Sequence, residues 1–173
     1  MITIKVATLD DAESISFLGK KTFDQSFGHL FHDRIDLTSY LNETFSYEKI
    51  SNSISKTHNI YWIVYKGNLS VGYAKLKLNS SSKFIKSDKI CKLQKIYLCR
   101  GTSSKGIGSV LQQIIFDKAI DQGNEHLWLS VLKQNKRAIT FYDRNKYQIV
   151  GDHSFIIGKQ KFDFWVMSKK LIN

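Results

Sequence analysis

Proline is missing from this 173-residue chain, and cysteine occurs only twice. Without proline, the breaks between elements must be inferred from glycine, capping residues and hydrophobic periodicity. Cys91 and Cys99 lie eight positions apart in one predicted strand, which disfavours a disulfide between them. No CxxC or Cys/His cluster has the spacing of a zinc site. We therefore expect two free thiols and no bound metal.

Long apolar runs are also lacking. The longest obvious run, residues 60–65, is far shorter than the roughly 20 residues of a membrane-spanning helix. The first six residues alternate like a strand and lack the basic and apolar regions of a secretory signal. These features predict a cytoplasmic protein with no membrane partner. Hydrophobic residues, at 42%, suffice for a core, and one domain spanning residues 1–173 is expected.

Acidic residues are too few to balance the basic ones, and the net charge is +11. The imbalance is uneven along the chain. Residues 1–50 hold five Lys/Arg against eight Asp/Glu, a net of −3, whereas residues 92–146 hold ten against four, a net of +6. This polarity favours an anionic cofactor on the basic side and a cationic substrate on the acidic, aromatic side. Two unequally charged solvated faces without a partner are the simpler alternative.

Local patterns predict alternating helices and strands. Thr8 and Asp11 have the spacing of a capping box, and the apolar residues that follow predict a first helix. Two shorter helices are predicted around residues 37–45 and after Ser46, a capping residue. The remaining predictions are a hairpin of strands at 60–65 and 71–78, strands at 90–99, 126–132, 148–157 and 161–170, and helices at 106–122 and 136–145.

The glycine pair Gly106 and Gly108 stands where a helix begins, directly after a predicted strand. A helix N-terminus has unpaired N–H groups and a partial positive charge, so such a loop can bind a pyrophosphate. Two nucleotide motifs fail here. Position 111 is Leu, so the third glycine of GxGxxG is missing, and positions 107 and 108 lack the Lys and Ser/Thr of a P-loop. Ordinary turn chemistry is the alternative for the glycine pair taken alone.

The segments around this loop resemble the GNAT acetyltransferases in order and spacing. The similar segments are 93–98, 105–108, 127–131, Asn135, 138–142 and Tyr147. Residues 22–27, 71–76 and 150–155 are similar to the PaiA-like polyamine acetyltransferase branch, so the resemblance covers nearly the whole chain. It implies an α/β fold with a mixed, largely antiparallel twisted sheet of about seven strands. The sheet would be splayed between strands 4 and 5, with helices on both faces.

The same resemblance implies acetyl-CoA as co-substrate. The backbone of Ile96, Tyr97 and Leu98 would pair with the pantetheine arm like an added strand. Further contacts are implied for the pyrophosphate at Ser104, Lys105, Gly106, Ile107, Gly108 and Ser109, for the pantetheine at Asn135, and for the outer phosphate at Arg144. Ser103 stands where the family usually has Gln or Arg. A solvated surface role is the alternative for Arg144.

The implied reaction is direct attack of a primary amine on the thioester. Tyr142 is the expected catalytic acid, whose hydroxyl would protonate the leaving sulfur, although a packing role fits its position equally. An amine with a pKa near 10.4 must be held neutral, which costs roughly 4.6 kcal/mol at pH 7, so a base or water relay is expected. Lys92 and Gln94 occupy the positions where related enzymes often have Glu, so the base is unassigned.

The acidic, aromatic N-terminal segment favours a polyamine acceptor such as spermidine or spermine. Asp24, Phe27 and Glu43 are the predicted contacts. A protein N-terminus or another small amine is the alternative acceptor, because the fold alone does not choose. A non-catalytic acyl-CoA-binding or nucleic-acid-associated module is the alternative of another class, although nucleic acid is not an expected partner. Residues 162–165 are predicted to form an exposed strand, which suggests a homodimer.

Overall fold

A computed structural model describes residues 1–102 and 106–172. Within these ranges the strands are β1 (Ile2–Val6), β2 (Asn59–Lys66), β3 (Leu69–Lys77), β4 (Ile90–Leu98), β5 (His126–Leu132), β6 (Gln148–Ile157) and β7 (Gln160–Lys170). The α-helices are α1 (Ala12–Phe27), α2 (Arg34–Thr44), α3 (Tyr47–Ile54), α4 (Ile107–Asp121) and α5 (Lys136–Arg144). None of these helices is long and apolar enough to cross a membrane.

The described strands form one sheet in the order β1-β2-β3-β4-β5-β7-β6. Neighbours are antiparallel except β4 and β5, which pair in parallel. This parallel pairing joins only Ile90–Lys92 to His126–Trp128. Beyond these residues the two strands separate, so one backbone edge of each has no strand partner. The predicted mixed, mostly antiparallel sheet with a splay between strands 4 and 5 is confirmed.

Helices cover both faces of this sheet because side chains alternate along each strand. On one face, Tyr61 and Ile63 of β2 pack with residues of α1 and α3. On the other, Trp62 and Val64 pack with residues of α4 and α5. A third cluster joins the end of α1 and α2 to residues of β5, β6 and β7. Two helical layers thus enclose the splayed strands.

Local signals begin and end the helices as predicted. The Asp11 carboxylate accepts a hydrogen bond from the Thr8 N–H at 2.9 Å, and the Ser46 hydroxyl accepts one from the Lys49 N–H at 3.2 Å. Gly123 follows α4 with a left-handed φ of 80°, which suits a helix C-terminus. Both cysteines are buried and free, as expected from their spacing.

The expectation of an exposed strand at residues 162–165 is wrong. These residues belong to β7, which is paired on both edges, to β5 and to β6. Phe162 is buried in the third cluster, and Phe164 packs against it. Trp165 packs on the opposite side of the sheet. This strand therefore offers no basis for a dimer surface, and the homodimer stays a prediction.

Candidate active site

A cavity of about 330 Å³ lies in the gap between β4 and β5, and we call it the splay cavity. Residues 92–98 of β4 and 129–132 of β5 form two of its walls. Asn135 and Tyr142 line it from the α5 side. Four rings close the opposite side: Phe23, Phe27, Phe31 and Tyr40. The site is therefore a gap in a sheet, covered by aromatic side chains.

A second cavity of about 370 Å³, the helix-end cavity, continues from the splay cavity toward the start of α4. The two share Ile96, Leu98, Asn135 and Tyr142 among their lining residues. Gly108, in the first turn of α4, lines the far part. A continuous path thus leads from a helix N-terminus into the splayed sheet.

The N-terminus of α4 is shaped for backbone contacts. Gly106 has a left-handed φ of 74°, and an added Cβ would meet nothing within 4 Å, so glycine is required here by conformation rather than by space. The Ile107 side chain is buried in the core and only its backbone can serve a ligand. Ser109 is exposed in the first turn, where N–H groups have no intrahelical acceptor. Ser104 and Lys105 lie outside the described residues.

The β4 edge supplies a second set of backbone groups. β3 pairs with one edge of β4, placing Ala74 opposite Ile96 and Tyr73 opposite Tyr97. The other edge faces the splay cavity, because pairing with β5 ends at Lys92. An extended ligand can add to such an edge as an extra strand. The predicted residues Ile96, Tyr97 and Leu98 all line this cavity.

Asn135 caps α5 and also lines both cavities. Its side-chain oxygen accepts a hydrogen bond from the Ala138 N–H at 3.2 Å, which leaves its amide hydrogens available as donors. Arg144, at the other end of α5, is exposed and lies outside the residues that line either cavity.

Two arginines that sequence reasoning missed, Arg100 and Arg137, line the helix-end cavity. The Arg100 guanidinium donates a hydrogen bond to the Gln25 carbonyl, which anchors it beside α1. Arg100 lies two positions after the end of β4, and Arg137 lies in the first turn of α5, two positions after Asn135, so both are close to residues already assigned to the site. That placement is the signal that could have identified them.

Tyr142 lies where the two cavities meet. Its side chain is 9% exposed and packs edge-on against Phe141 and Tyr147, with ring centroids 5.6 and 5.4 Å away. Burial raises the pKa of the Tyr142 hydroxyl above its ordinary value, so the group stays protonated at neutral pH. Its position serves packing and leaves a hydrogen-bond donor at the cavity junction.

Of the three predicted acceptor contacts, only Phe27 lines the splay cavity. Asp24 forms an ion pair with Arg34 at 3.5 Å, and Glu43 is exposed on α2. No aspartate or glutamate within residues 1–102 and 106–172 lines this cavity. Its charged lining consists of Lys92 and Lys95.

Ser130 of β5 connects the cavity to a histidine. Its hydroxyl lies 2.9 Å from Nε2 of His153 on β6. The imidazole stacks on the Phe164 ring with an interplanar angle of 6°, which holds its orientation. His153 is exposed, so this pair links a lining residue of the splay cavity to solvent.

The chain was compared with known proteins and protein families. The sequence profile of the acetyltransferase (GNAT) family matches residues 27–147. The chain is 21% identical to an uncharacterized N-acetyltransferase from the pepI 3' region of Lactobacillus delbrueckii subsp. lactis, over 99% of this chain and 100% of that protein. It is 31% identical to an uncharacterized N-acetyltransferase of Mycobacterium tuberculosis over 49% of this chain and 54% of that protein.

Solved structures share the fold. The crystal structure of PaiA N-acetyltransferase from Thermoplasma acidophilum in complex with coenzyme A superposes with a TM-score of 0.80 at 19% identity, covering 98% of this chain and 99% of that one. An N-acetyltransferase from Staphylococcus aureus Mu50 gives a TM-score of 0.75 at 22% identity, covering 100% and 99%. The observed strand order and splay are therefore a shared architecture.

Proposed function

The chain belongs to the GNAT family of acetyltransferases, and we propose that it transfers the acetyl group of acetyl-CoA to a primary amine in the splay cavity. The observation that carries the proposal is the continuous path from the N-terminus of α4 to the unpaired edge of β4, with Tyr142 at its junction. The helix N-terminus can bind phosphate, the β4 edge can pair with an extended ligand, and Tyr142 can donate a hydrogen bond.

The residues present fit an acyl-CoA. Backbone N–H groups of residues 107–109 would hold the pyrophosphate at the helix N-terminus, where Arg100 and Arg137 add positive charge. The edge of β4 at Ile96–Leu98 would pair with the pantetheine amides, and Asn135 would donate to them from the opposite wall.

Bound acetyl-CoA supplies a thioester whose C–S bond breaks as the C–N bond forms, so the nitrogen loses one proton and the sulfur gains one. Tyr142 donates a hydrogen bond to the leaving sulfur. A tyrosine of ordinary pKa ~10 is already a weaker acid than a free thiol of pKa ~8.5, and burial raises the pKa of Tyr142 further. Stabilising developing charge through that hydrogen bond is therefore its main contribution, and the released thiolate takes its proton from solvent.

A route for the proton lost by nitrogen is the pair of Ser130 and His153. Ser130 lines the cavity and His153 is exposed to solvent, so a proton can pass outward through the hydrogen bond between them. No carboxylate among the described lining residues offers a shorter route. We assign this pair as the proton relay, for which the sequence suggested no residues.

Spermidine or spermine is the acceptor that the sequence resemblance implies. The aromatic wall of Phe23, Phe27, Phe31 and Tyr40 supports such a ligand, because ring faces attract cations. The charge of the cavity favours a different class of acceptor, since lysines rather than Asp24 or Glu43 line it. The proposal therefore takes the acceptor to be a primary amine and tests polyamines as one class.

Thiol release from acetyl-CoA, measured with a panel of amines, tests this function. The panel includes spermidine, spermine, a peptide with a free N-terminus and small primary amines. Tyr142→Phe keeps the ring and removes the donor, and we expect kcat to fall about 10²-fold or more. Tyr47→Phe, at an exposed tyrosine of α3, is the matched control and should leave kcat unchanged. No thiol release with any amine would overturn the proposal.

A further inference from the structure

A third cavity of about 550 Å³ adjoins the splay cavity beside α3. The two share Tyr40, Gln94, Lys95 and Phe155. Five lysines line the third cavity: Lys49, Lys56, Lys75, Lys77 and Lys95. Among the residues that the structure describes, no aspartate or glutamate lines it. We call it the lysine cavity, and it lies at the end of β4 away from α4.

Strand register places these lysines together. In the antiparallel pair of β3 and β4, Lys75 is opposite Lys95 and Lys77 is opposite Lys92. The register shifts after Lys75, so Gln94 forms a bulge. Lys92 and Lys95 are three positions apart and would face opposite sides of a regular strand, but the bulge brings both to the same side. Like charges directly opposite each other destabilise a sheet.

These lysines lack carboxylate partners within the described ranges. The ion pairs found there involve other lysines, such as Lys5 and Lys133. Lys75 lies 5.5 Å from the Tyr61 ring centroid and Lys95 lies 5.2 Å from that of Phe45. Ring faces offset part of the repulsion but do not neutralise it. The cavity therefore keeps a surplus of positive charge.

The surplus charge is costly in this position. Burial, reinforced by Lys92, lowers the pKa of Lys95 from 10.5 to about 8. Burial, reinforced by Lys95 and Lys77, lowers the pKa of Lys75 to the same range. A ligand anion would offset both effects, because opposite charge favours the protonated lysine.

A buried donor also lacks a partner at this cavity. The Tyr73 side chain is 1% exposed and lines the cavity, yet its hydroxyl makes no hydrogen bond to any described residue. The side-chain oxygen of Gln94, which lines both cavities, is likewise buried without a partner, and as an acceptor it suits the ammonium end of a ligand rather than an anion. Buried polar groups are normally paired, so these atoms indicate a ligand position.

We propose that the lysine cavity binds an anionic group, a carboxylate or phosphate, on the same small molecule whose primary amine enters the splay cavity. This inference rests on the proposed function and names its acceptor class. Lys75, Lys77 and Lys95 attract the anion, and the Tyr73 hydroxyl donates to it. Because Gln94 and Lys95 line both cavities, the cavities adjoin and one bifunctional molecule can occupy both.

The lysines also help the acceptor amine to react. Lys92 and Lys95 line the splay cavity, so an incoming ammonium meets like charge there. Like charge lowers the pKa of an ammonium and favours the neutral amine that attacks the thioester. A polyamine would bring further positive charge to the same wall. An acceptor with one amine and one anionic group avoids that repulsion.

Matched acceptor pairs test the proposal. O-phosphoethanolamine is compared with ethanolamine, 4-aminobutyrate with 4-aminobutanamide, and spermidine is included as a polycation. We expect the anionic member to have a kcat/KM higher by about 10-fold or more, and the two pairs distinguish phosphate from carboxylate. Lys75→Met and Lys95→Met should abolish most of that preference, mainly through KM. Lys66→Met, at an exposed lysine of β2, is the control and should retain it.

Thermal unfolding with sodium phosphate or sulfate, against sodium chloride of equal ionic strength, separates the two proposals. Phosphate and sulfate should raise the Tm of the wild type and of Lys66→Met by more than that of Lys75→Met or Lys95→Met, because the general stabilising effect of these salts is common to all four proteins. The melting curves of the two lysine variants also report their folding. If the anions stabilise the lysine cavity but no amine releases thiol, the proposed function fails and the anion site stands. If ethanolamine or spermidine reacts as well as the anionic amines and no lysine-dependent stabilisation occurs, the inference is overturned.

Discussion

Lys95→Met should stabilise the folded chain at pH 7, although it removes a residue of the site. The Lys95 ammonium lies opposite Lys75 on the neighbouring strand and has no carboxylate partner among the described residues. Burial lowers its pKa to about 8, which means that the fold disfavours its charge. Methionine has a similar length without a charge, and its sulfur can pack against the Phe45 ring.

The magnitude follows from the pKa of Lys95. A fall from 10.5 to about 8, at 1.36 kcal/mol per pKa unit, corresponds to roughly 3 kcal/mol. The side chain is partly exposed, so solvent screening reduces this figure. Loss of the contact with the Phe45 ring removes a further fraction of a kcal/mol. We expect a gain of about 1–2 kcal/mol in the free energy of unfolding at pH 7.

The pH dependence has a definite sign. Between about pH 8 and 10.5 the unfolded chain holds the Lys95 proton more tightly than the folded chain does. Stability of the wild type relative to Lys95→Met therefore rises with pH through this window. Below pH 8 the cost of the charged lysine is fully present, and above pH 10.5 the gap between the two proteins should have closed.

Urea unfolding at several pH values between 7 and 10.5 measures the effect, with Lys66→Met as the control for removing an exposed strand lysine. Taking differences between wild type and variant cancels the titration of groups that do not interact with Lys95. A variant that is less stable than the wild type at pH 7, or a stability difference that is constant across this range, would refute the reasoning. Either result would mean that the fold does not disfavour the charge of Lys95.

Two further predictions concern the relay and the start of α4. His153→Gln should lower kcat about 10- to 100-fold at pH 7. The kcat of this variant should recover by pH 9–10, where more of an acceptor amine with pKa near 10.4 is already neutral. His29→Gln, at an exposed histidine outside the splay cavity, is the control. A loss that persists at pH 10 would contradict the relay. Gly106→Ala and Gly123→Ala both place alanine at a left-handed φ in open space, so each should cost about 1 kcal/mol of stability, but only Gly106→Ala should raise the KM for acetyl-CoA. Equal KM values for the two variants would remove the α4 N-terminus from the cofactor site.

Many elements could be predicted from the sequence because their causes are local. The Thr8 and Asp11 contact and the Ser46 cap involve residues three positions apart, and Gly123 meets a conformational need of its own position. The glycine loop before α4 is a signal of the same kind. The splay followed from the family resemblance, and the structure confirms it.

Predictions that depended on which side chains come together were less successful. The acidic balance of residues 1–50 was interpreted as a cation site, but the carboxylates of Asp24 and Glu43 lie outside the splay cavity. A count along the chain cannot show which face of a helix carries a charge. Residues 162–165 were expected to be exposed because alternation alone does not distinguish an edge strand from an internal one.

By itself, the sequence determined the order of helices and strands, the glycine turn before α4 and the family likeness, with its acetyl-CoA chemistry. Tertiary structure alone brought the residues of the lysine cavity together. Lys75 and Lys95 are twenty positions apart, and only the register of β3 against β4, with the bulge at Gln94, brings their charges together. Register is fixed by packing on both faces of the sheet, so no local pattern in the chain could reveal a cationic cavity beside the splay cavity.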